Sequence, residues 1–395
     1  MTLPLEGVRV VEYAQYVAGP LCGVLLADLG ADVVKVEPPA GDGYRHVVAV
    51  AEGVGRYFVP LNRGKRSVVV DLKTADGLET SSRLLGSADV VLHNFPRERA
   101  ARFGLDWERV HQACPALVIG RVTSFGTSGP LADAPAYDLV AQARAGLLTA
   151  HASPGDTVPV RAGGIPMADL AAGFLLATGV LAALVRARDS GDGELVDVSL
   201  LAAALALQLQ DLVWLAGEDA EAEPETADRV HLAARASEIA GGLAMNPYYR
   251  CFEASDGFVA VACLNLVQRR AFLALFELED PTIDAPDLVP DDARVLAAKE
   301  QLTAVVARAF SERPVTEWVE RLESAGVPCG RVQRREAVHA DPQVLAERLV
   351  GRVAQPGLGE IDLLAPFVRM GGETPSPKAA PQLGADTDAV LAELA

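Results

Sequence analysis

Asp169 is the residue in this chain whose neighbours best suit it to attack an electrophile. It lies in the stretch TVPVRAGGIPMADLAAGFLLATGVLAALV, residues 157–185. The stretch reads as a short extended piece, a turn at Gly163-Gly164 and a strongly apolar helix. Pro166 suits a first helical turn, where a missing N–H costs nothing, and Asp169 follows three residues later. The positive end of the helix dipole should keep that carboxylate ionised at neutral pH. Residues 170–185 carry no charge, which predicts a buried helix. A carboxylate at the mouth of such a helix, beside two glycines that leave room for a ligand, suits nucleophilic catalysis. The same aspartate could instead serve only as a cap for orphan N–H groups. This stretch alone leaves both roles open.

Other chemistries lack their residues. His46, His93, His111, His151, His231 and His339 show no metal-ligand spacing and no H-E-x-x-H. There is no G-x-S-x-G elbow, and no Walker A loop. Cys22, Cys114, Cys251, Cys263 and Cys329 are odd in number and without C-x-x-C, which reads as reduced thiols in a cytoplasmic protein. The start of the chain has neither a basic n-region nor a long apolar run, so no signal peptide is expected. The sixteen uncharged residues after Asp169 are Ala-rich and short for a membrane span.

The elements that must position Asp169 follow a βα alternation. Residues 8–13 (VRVVEY) read as a strand, broken by Ala18-Gly19-Pro20. Residues 21–29 read as a helix ending at Gly30, and residues 32–37 (DVVKVE) as a second strand. This β-α-β unit predicts a parallel sheet with a right-handed crossover. The turn after the first strand is not G-x-G-x-x-G, so no dinucleotide fingerprint is present. Further strands are expected at 89–93, 117–122 and 195–200. Helices are expected at 75–85, through 97–102, from Tyr137-Asp138 through 148, and at 202–215. Residues 62–73 (NRGKRSVVVDLK) pack four cations around a strand. They are either a phosphate-binding cluster or a charged strand edge guarding against aggregation. An acidic segment at 217–228 reads as a linker. Beyond it come Gly241-Gly242, a hairpin at 248–263 turning at Ser255-Asp256-Gly257, three helices, and a tail of short strands with a last helix at 388–394.

At 395 residues the chain is long enough for two domains and a substantial core. The net charge of −18 argues against nucleic-acid or anionic-membrane binding, and any anionic ligand must meet a local cation cluster or backbone N–H groups.

In order along the chain, VRVVEYAQYVAGP, NRGKRSVVVDLK, ADVVLHNFPRERAARFGLDW, VTSFGTSGP, GGIPMADLAAG, GELVDVSLLAAA, PYYRCFEASDGFVAVA and GVPCGRV resemble the class III CoA-transferases. This is the CaiB/BaiF group, with formyl-CoA transferase and α-methylacyl-CoA racemase among its relatives. The resemblance spans nearly the whole chain. It implies an α/β fold: a large Rossmann-like domain with a parallel sheet, plus a smaller α+β domain, in an interlocked homodimer. The domains would be 1–216, 217–330 for linker and small domain, and 331–395 returning to the large domain. The family's catalytic aspartate falls on Asp169. It would attack an acyl-CoA thioester, giving an anhydride and then an aspartyl-CoA thioester, with a carboxylic acid as acceptor. Coenzyme A would be a substrate rather than a permanently bound cofactor, and no metal is implied. By the same resemblance CoA would run past Val17 and Ala18, past Val70, Asp71, Leu72 and Lys73, along Asn94, Phe95, Pro96 and Arg102, and past Ala136, Tyr137 and Asp138. Val17 stands where some transferases have Gln, Pro38 where some have Arg near adenine, and GADTD where the family often has G-E-H-T.

The racemase branch needs a histidine paired with the aspartate, at the position of Tyr137. A phenol with an ordinary pKa near 10 is a poor base at neutral pH, and His151 lies in a Pro/Gly loop. CoA transfer is therefore favoured over 2-methylacyl-CoA racemisation. Asp169 with its glycines argues against a non-catalytic acyl-CoA-binding paralogue. The acyl donor and acceptor acid are not legible.

Overall fold

The computed structural model describes residues 3–132, 134–151, 158–159, 161–212, 228, 230–231, 246–284, 293–372 and 375–394. Gly241-Gly242 and nearly all of the expected linker lie outside them. The chain forms two compact units, one of residues 1–148, 161–220 and 339–395, the other of 149–160 and 221–338.

Val-rich runs become strands because branched side chains pack well on a pleated surface covered on both faces. In the first unit these are β1 (Arg9–Glu12), β2 (Asp32–Glu37), β3 (Arg66–Val69), β4 (Val90–His93), β5 (Val118–Thr123) and β6 (Leu195–Ser199). They form a six-stranded sheet, all parallel, in the order β3-β2-β1-β4-β5-β6. The order reverses between β1 and β4, so a crevice opens there at the carboxyl ends of the strands.

The helices that matter for the site are α1 (Ala18–Asp28), α2 (Ala75–Gly86), α3 (Arg97–Arg102), α4 (Asp138–Arg144), α5 (Met167–Ser190) and α6 (Leu200–Ala206). Several differ from the sequence expectation. The helix expected at 21–29 starts three residues earlier, with Ala18-Gly19-Pro20 as the first turn of α1, where proline's absent N–H is not missed. Gly146, with φ of +74°, ends the α4 segment short of Leu148. α6 is seven residues long, not a helix over 202–215, and residues 213–215 lie outside the described set.

α5 is long and apolar enough to cross a membrane by length and composition alone. Its small-residue face packs inside the unit. A side chain at Gly173 would lie 2.8 Å from the Ala18 carbonyl oxygen, so glycine permits α5 to touch α1 closely. The helix expected to be buried is buried along one face only, because Phe174, Leu175 and Val185 are exposed in the single chain.

Three of the four cations in residues 62–73 turn out to be structural. Lys65 is buried and donates to Glu12 (2.8 Å), Asn62 (3.0 Å) and the Pro20 carbonyl (2.9 Å). Arg63 pairs with Asp28, and Arg66 with Asp32 and Glu393. The phosphate-cluster reading of this stretch is thus corrected; only Lys73 stays exposed and outside any ion pair among the described residues. Lys35, also buried, links Glu12 (3.0 Å), Asp42 (2.9 Å) and the Ala14 carbonyl (2.9 Å), while Arg45 holds Glu37 (2.7 Å). Removing one partner of such buried pairs typically costs about 3–5 kcal/mol, because the other charge stays buried alone.

β3 is an edge strand, and the tail covers it. The Ser67 N–H donates to Asp386 (2.8 Å) and the Val69 N–H to Thr387 (3.1 Å). Gly384 N–H donates to the Ser67 hydroxyl (2.9 Å). The last helix, Thr387–Glu393, buries Val390 in the core that also holds Val34, Val68 and Leu84.

The second unit is built on a three-stranded antiparallel sheet, with β7 (Tyr249–Ala254) and β8 (Gly257–Ala262) joined at Ser255-Asp256 and β9 (Cys329–Arg331) on the far side of β8. Its core stacks Phe252, Phe310 and Trp318, whose ring centroids lie 4.4–4.5 Å apart in succession. Tyr248 donates to buried Asp280 (2.6 Å), which also receives Lys299 (2.6 Å).

Candidate active site

Three segments meet at the crevice between β1 and β4. Gln15 and Asn94, from the loops after those strands, clasp each other. Asn94 Nδ2 donates to the Gln15 carbonyl (2.9 Å) and Gln15 N–H to Asn94 Oδ1 (3.2 Å). The loop after β5 is closed by the Ala136 N–H donating to the Ser124 hydroxyl (3.1 Å). Between them lies a cavity of about 430 Å³, lined among others by Val17, Ala18, Asn94, Phe95, Pro96, Ala136, Tyr137 and Asp169.

Asp169 sits in the first turn of α5, after a turn in which Gly163 and Gly164 both have positive φ (+58° and +70°). Pro166 is the residue before the helix rather than its first turn, and it supplies no side-chain cap. That task falls to Asp138, the first residue of α4. One carboxylate oxygen of Asp138 accepts from the N–H groups of Ala168 (2.9 Å) and Asp169 (3.3 Å). The other accepts from Gln142 (2.7 Å) and Arg161 (3.3 Å). Capping is therefore done from outside the helix, and the Asp169 carboxylate is released from it. Among the described residues no donor is bonded to that carboxylate. Burial, then the negative charge of Asp138, push its pKa up to about 7, against the pull of Arg161. The expectation of an aspartate ionised throughout the neutral range is corrected. The helix dipole acts on Asp169, but desolvation within the crevice outweighs it.

The remaining residues named from sequence divide. Arg102 lines a smaller recess of about 130 Å³ with Arg109, Phe103 and Cys114. Val70 is buried at the end of β3, Asp71 and Leu72 are half-buried, and Lys73 is exposed; none of these lines the main cavity. Asp138 turns its carboxylate to the α5 terminus. The cavity also takes in residues that were not assigned to CoA from the sequence, among them Tyr16, Arg97, Arg99 and Arg121. Arg121 is held by Asp197 (3.0 Å), whereas Arg97 and Arg99 are exposed and make no ion pair among the described residues. His93, at the end of β4, is no base: burial and then Arg121 pull its pKa down to about 3.

The chain as a whole has counterparts among known proteins. The model for CoA-transferase family III matches residues 5–387, and the chain belongs to that family. It is 33% identical to a succinate–glutarate CoA-transferase of Agrobacterium fabrum, over 99% of this chain and 96% of the relative. It is 30% identical to a succinyl-CoA:glutarate CoA-transferase of Homo sapiens, over 99% of this chain and 86% of the relative. The crystal structure of a CaiB/BaiF family protein from Brucella suis superposes with a TM-score of 0.78 at 27% identity, covering all of both chains.

Proposed function

We propose that this chain moves coenzyme A from an acyl-CoA thioester to a carboxylic acid, with Asp169 as the covalent nucleophile. The observation that carries the reading is the Asp169 carboxylate, relieved of capping by Asp138 and facing the cavity at the switch point. The ionised carboxylate attacks the thioester carbonyl, the C–S bond breaks, and CoA leaves as thiolate from a mixed anhydride. The thiolate then attacks the Asp169 carbonyl, releasing the donor acid and leaving aspartyl-CoA. The acceptor carboxylate attacks that thioester and the exchange runs in reverse. Every nucleophile and leaving group here is an anion, so the cycle needs no general acid. It needs a crevice that keeps water off the anhydride.

Tyr137 lines the same cavity, and a phenol does not supply the histidine base that racemisation requires. Relatives named for succinate and glutarate make short dicarboxylic acids the first substrates to try. CoA enters as substrate, no resident cofactor or metal is invoked, and the five free cysteines suit a cytoplasmic setting.

The phosphates of CoA need cations, and residues 62–73 have all of theirs but Lys73 committed to ion pairs. Arg97 and Arg99 at the cavity supply uncommitted charge. The Arg97→Ala/Arg99→Ala double variant is expected to weaken CoA binding by roughly 10-fold or more, on the scale of charge-assisted phosphate contacts. Calorimetric titration with CoA, repeated at rising salt, checks this; an unchanged affinity and salt slope would refute it.

The reading includes an interlocked homodimer. The exposed apolar side chains Leu139, Val140, Phe174, Leu175 and Val185 on α4 and α5 support burial against a second copy. Light scattering should return twice the 41.5 kDa chain mass; a monomer at micromolar concentration would refute it.

A further inference from the structure

We propose that Tyr16 is a specificity-determining residue, closing the acyl end of the cavity so that Asp169 accepts short acyl groups. The inference rests on the reading of Asp169 as nucleophile. It is carried by several features of one residue. Tyr16 has φ of +71°, a left-handed conformation that non-glycine residues rarely adopt and that persists only where surroundings enforce it. The enforcing contacts are visible. Its N–H donates to Asp42 (3.4 Å), whose other oxygen is tied to buried Lys35 (2.9 Å). Its ring packs on the bare face of Gly43, where a Cβ would lie 3.0–3.2 Å from the ring carbons and hydroxyl. The ring also meets Tyr44 and Tyr137 edge-on, with centroids 5.5 and 6.0 Å away.

The result is a phenol-lined stretch of cavity wall in which the Tyr16 ring is braced by two neighbouring rings. Tyr16 and Tyr137 line the cavity with Asp169, and Tyr44 lies within the electrostatic reach of the Asp169 carboxylate. A strained residue whose ring is held from three sides, yet 38% exposed to the cavity and solvent, is placed for contact with a ligand rather than for the core. A wall of this kind discriminates by length, because each extra methylene must displace a fixed ring.

The test uses the whole protein and hydroxylamine capture of the acylated Asp169, followed by mass spectrometry at initial rate. Acetyl-, butyryl-, hexanoyl- and octanoyl-CoA are the probes. The readout is the ratio of octanoyl to acetyl labelling, which does not depend on how much of a variant is folded. Tyr16→Gly suits the positive φ and opens the wall; its ratio is expected to rise at least roughly 10-fold over the parent, the scale of methylene discrimination. Tyr16→Phe keeps the ring and should stay within about twofold of the parent ratio, the variation expected from a lost hydroxyl alone. A Tyr16→Gly ratio equal to the parent's, with Asp169 labelled in both, would overturn the inference and leave the function standing. No labelling of parent Asp169 by any of these probes would overturn this inference, and no labelling by succinyl-CoA either would overturn the functional reading with it.

Discussion

Asp169→Asn is expected to lose CoA transfer by roughly 10⁴-fold or more, the scale seen when a covalent nucleophile is removed. Residual turnover would reflect binding alone. With succinyl-CoA and other acyl-CoAs, the parent protein should give a hydroxylamine-trapped adduct on the Asp169 peptide, and the variant none. A variant that retains adduct or rate would sink the mechanism. The pH dependence follows from the raised pKa. The nucleophile is the ionised form, so kcat/KM should climb through about pH 7 and level off above it. Stability runs the other way. A carboxyl with a pKa of 3.8 unfolded and about 7 folded binds more protons when folded between those values, so ionising it costs stability as pH rises through that window. The amide that replaces it carries no such cost. Asp169→Asn should therefore melt higher than the parent at about pH 8 and converge with it near pH 4. The gain is about 1–3 kcal/mol, below the full linkage value because the carboxylate is only half-buried.

Asp138→Asn is the second large effect, and it separates position from charge. The substituted amide oxygen can still accept from the Ala168 and Asp169 N–H groups, but the negative charge beside Asp169 is gone and Arg161 is left unopposed. Both changes favour ionised Asp169, so the rise in kcat/KM should move to lower pH than in the parent. Asp138→Ala removes the cap as well, orphaning two N–H groups at a cost of about 1–3 kcal/mol. With the start of α5 loosened, kcat should fall roughly 10²-fold, as misplacement of about 1 Å can cost. A pH profile unmoved in Asp138→Asn would show that the residue is structural only.

The sheet and the candidate nucleophile's surroundings were legible because their signals are local. The β-α-β alternation, Val-rich strands and Gly163-Gly164 before Asp169 depend on neighbours in sequence. What escaped depends on partners far apart. Residues 62–73 look like a free cation patch until Glu12, Asp28, Asp32 and Glu393 are folded onto them. The helix dipole at Asp169 is readable; the desolvation and the Asp138 charge that outweigh it are not. Arg97, Arg99 and Tyr16 stood in plain view, but no spacing rule marks a residue that reaches a cavity from a loop or a short helix. Tyr16 carries its signal in φ, which the sequence does not display. The boundary of α1 was misread because Gly19-Pro20 breaks a helix interior yet fits a first turn.

The tail's grip on β3 also bears on how the chain is made. The N–H of Ser67 finds its acceptor 319 residues later, in Asp386. On the ribosome β3 emerges early and must wait, with that edge open, until the last turn of the chain is released. At about 5–20 residues per second the wait is on the order of 15–60 s. Through that interval the half-built sheet offers a neighbouring nascent chain the same unpaired N–H groups that the tail later takes. Arg66, on that edge, has only Asp32 as its partner during the wait, and gains Glu393 when the tail arrives.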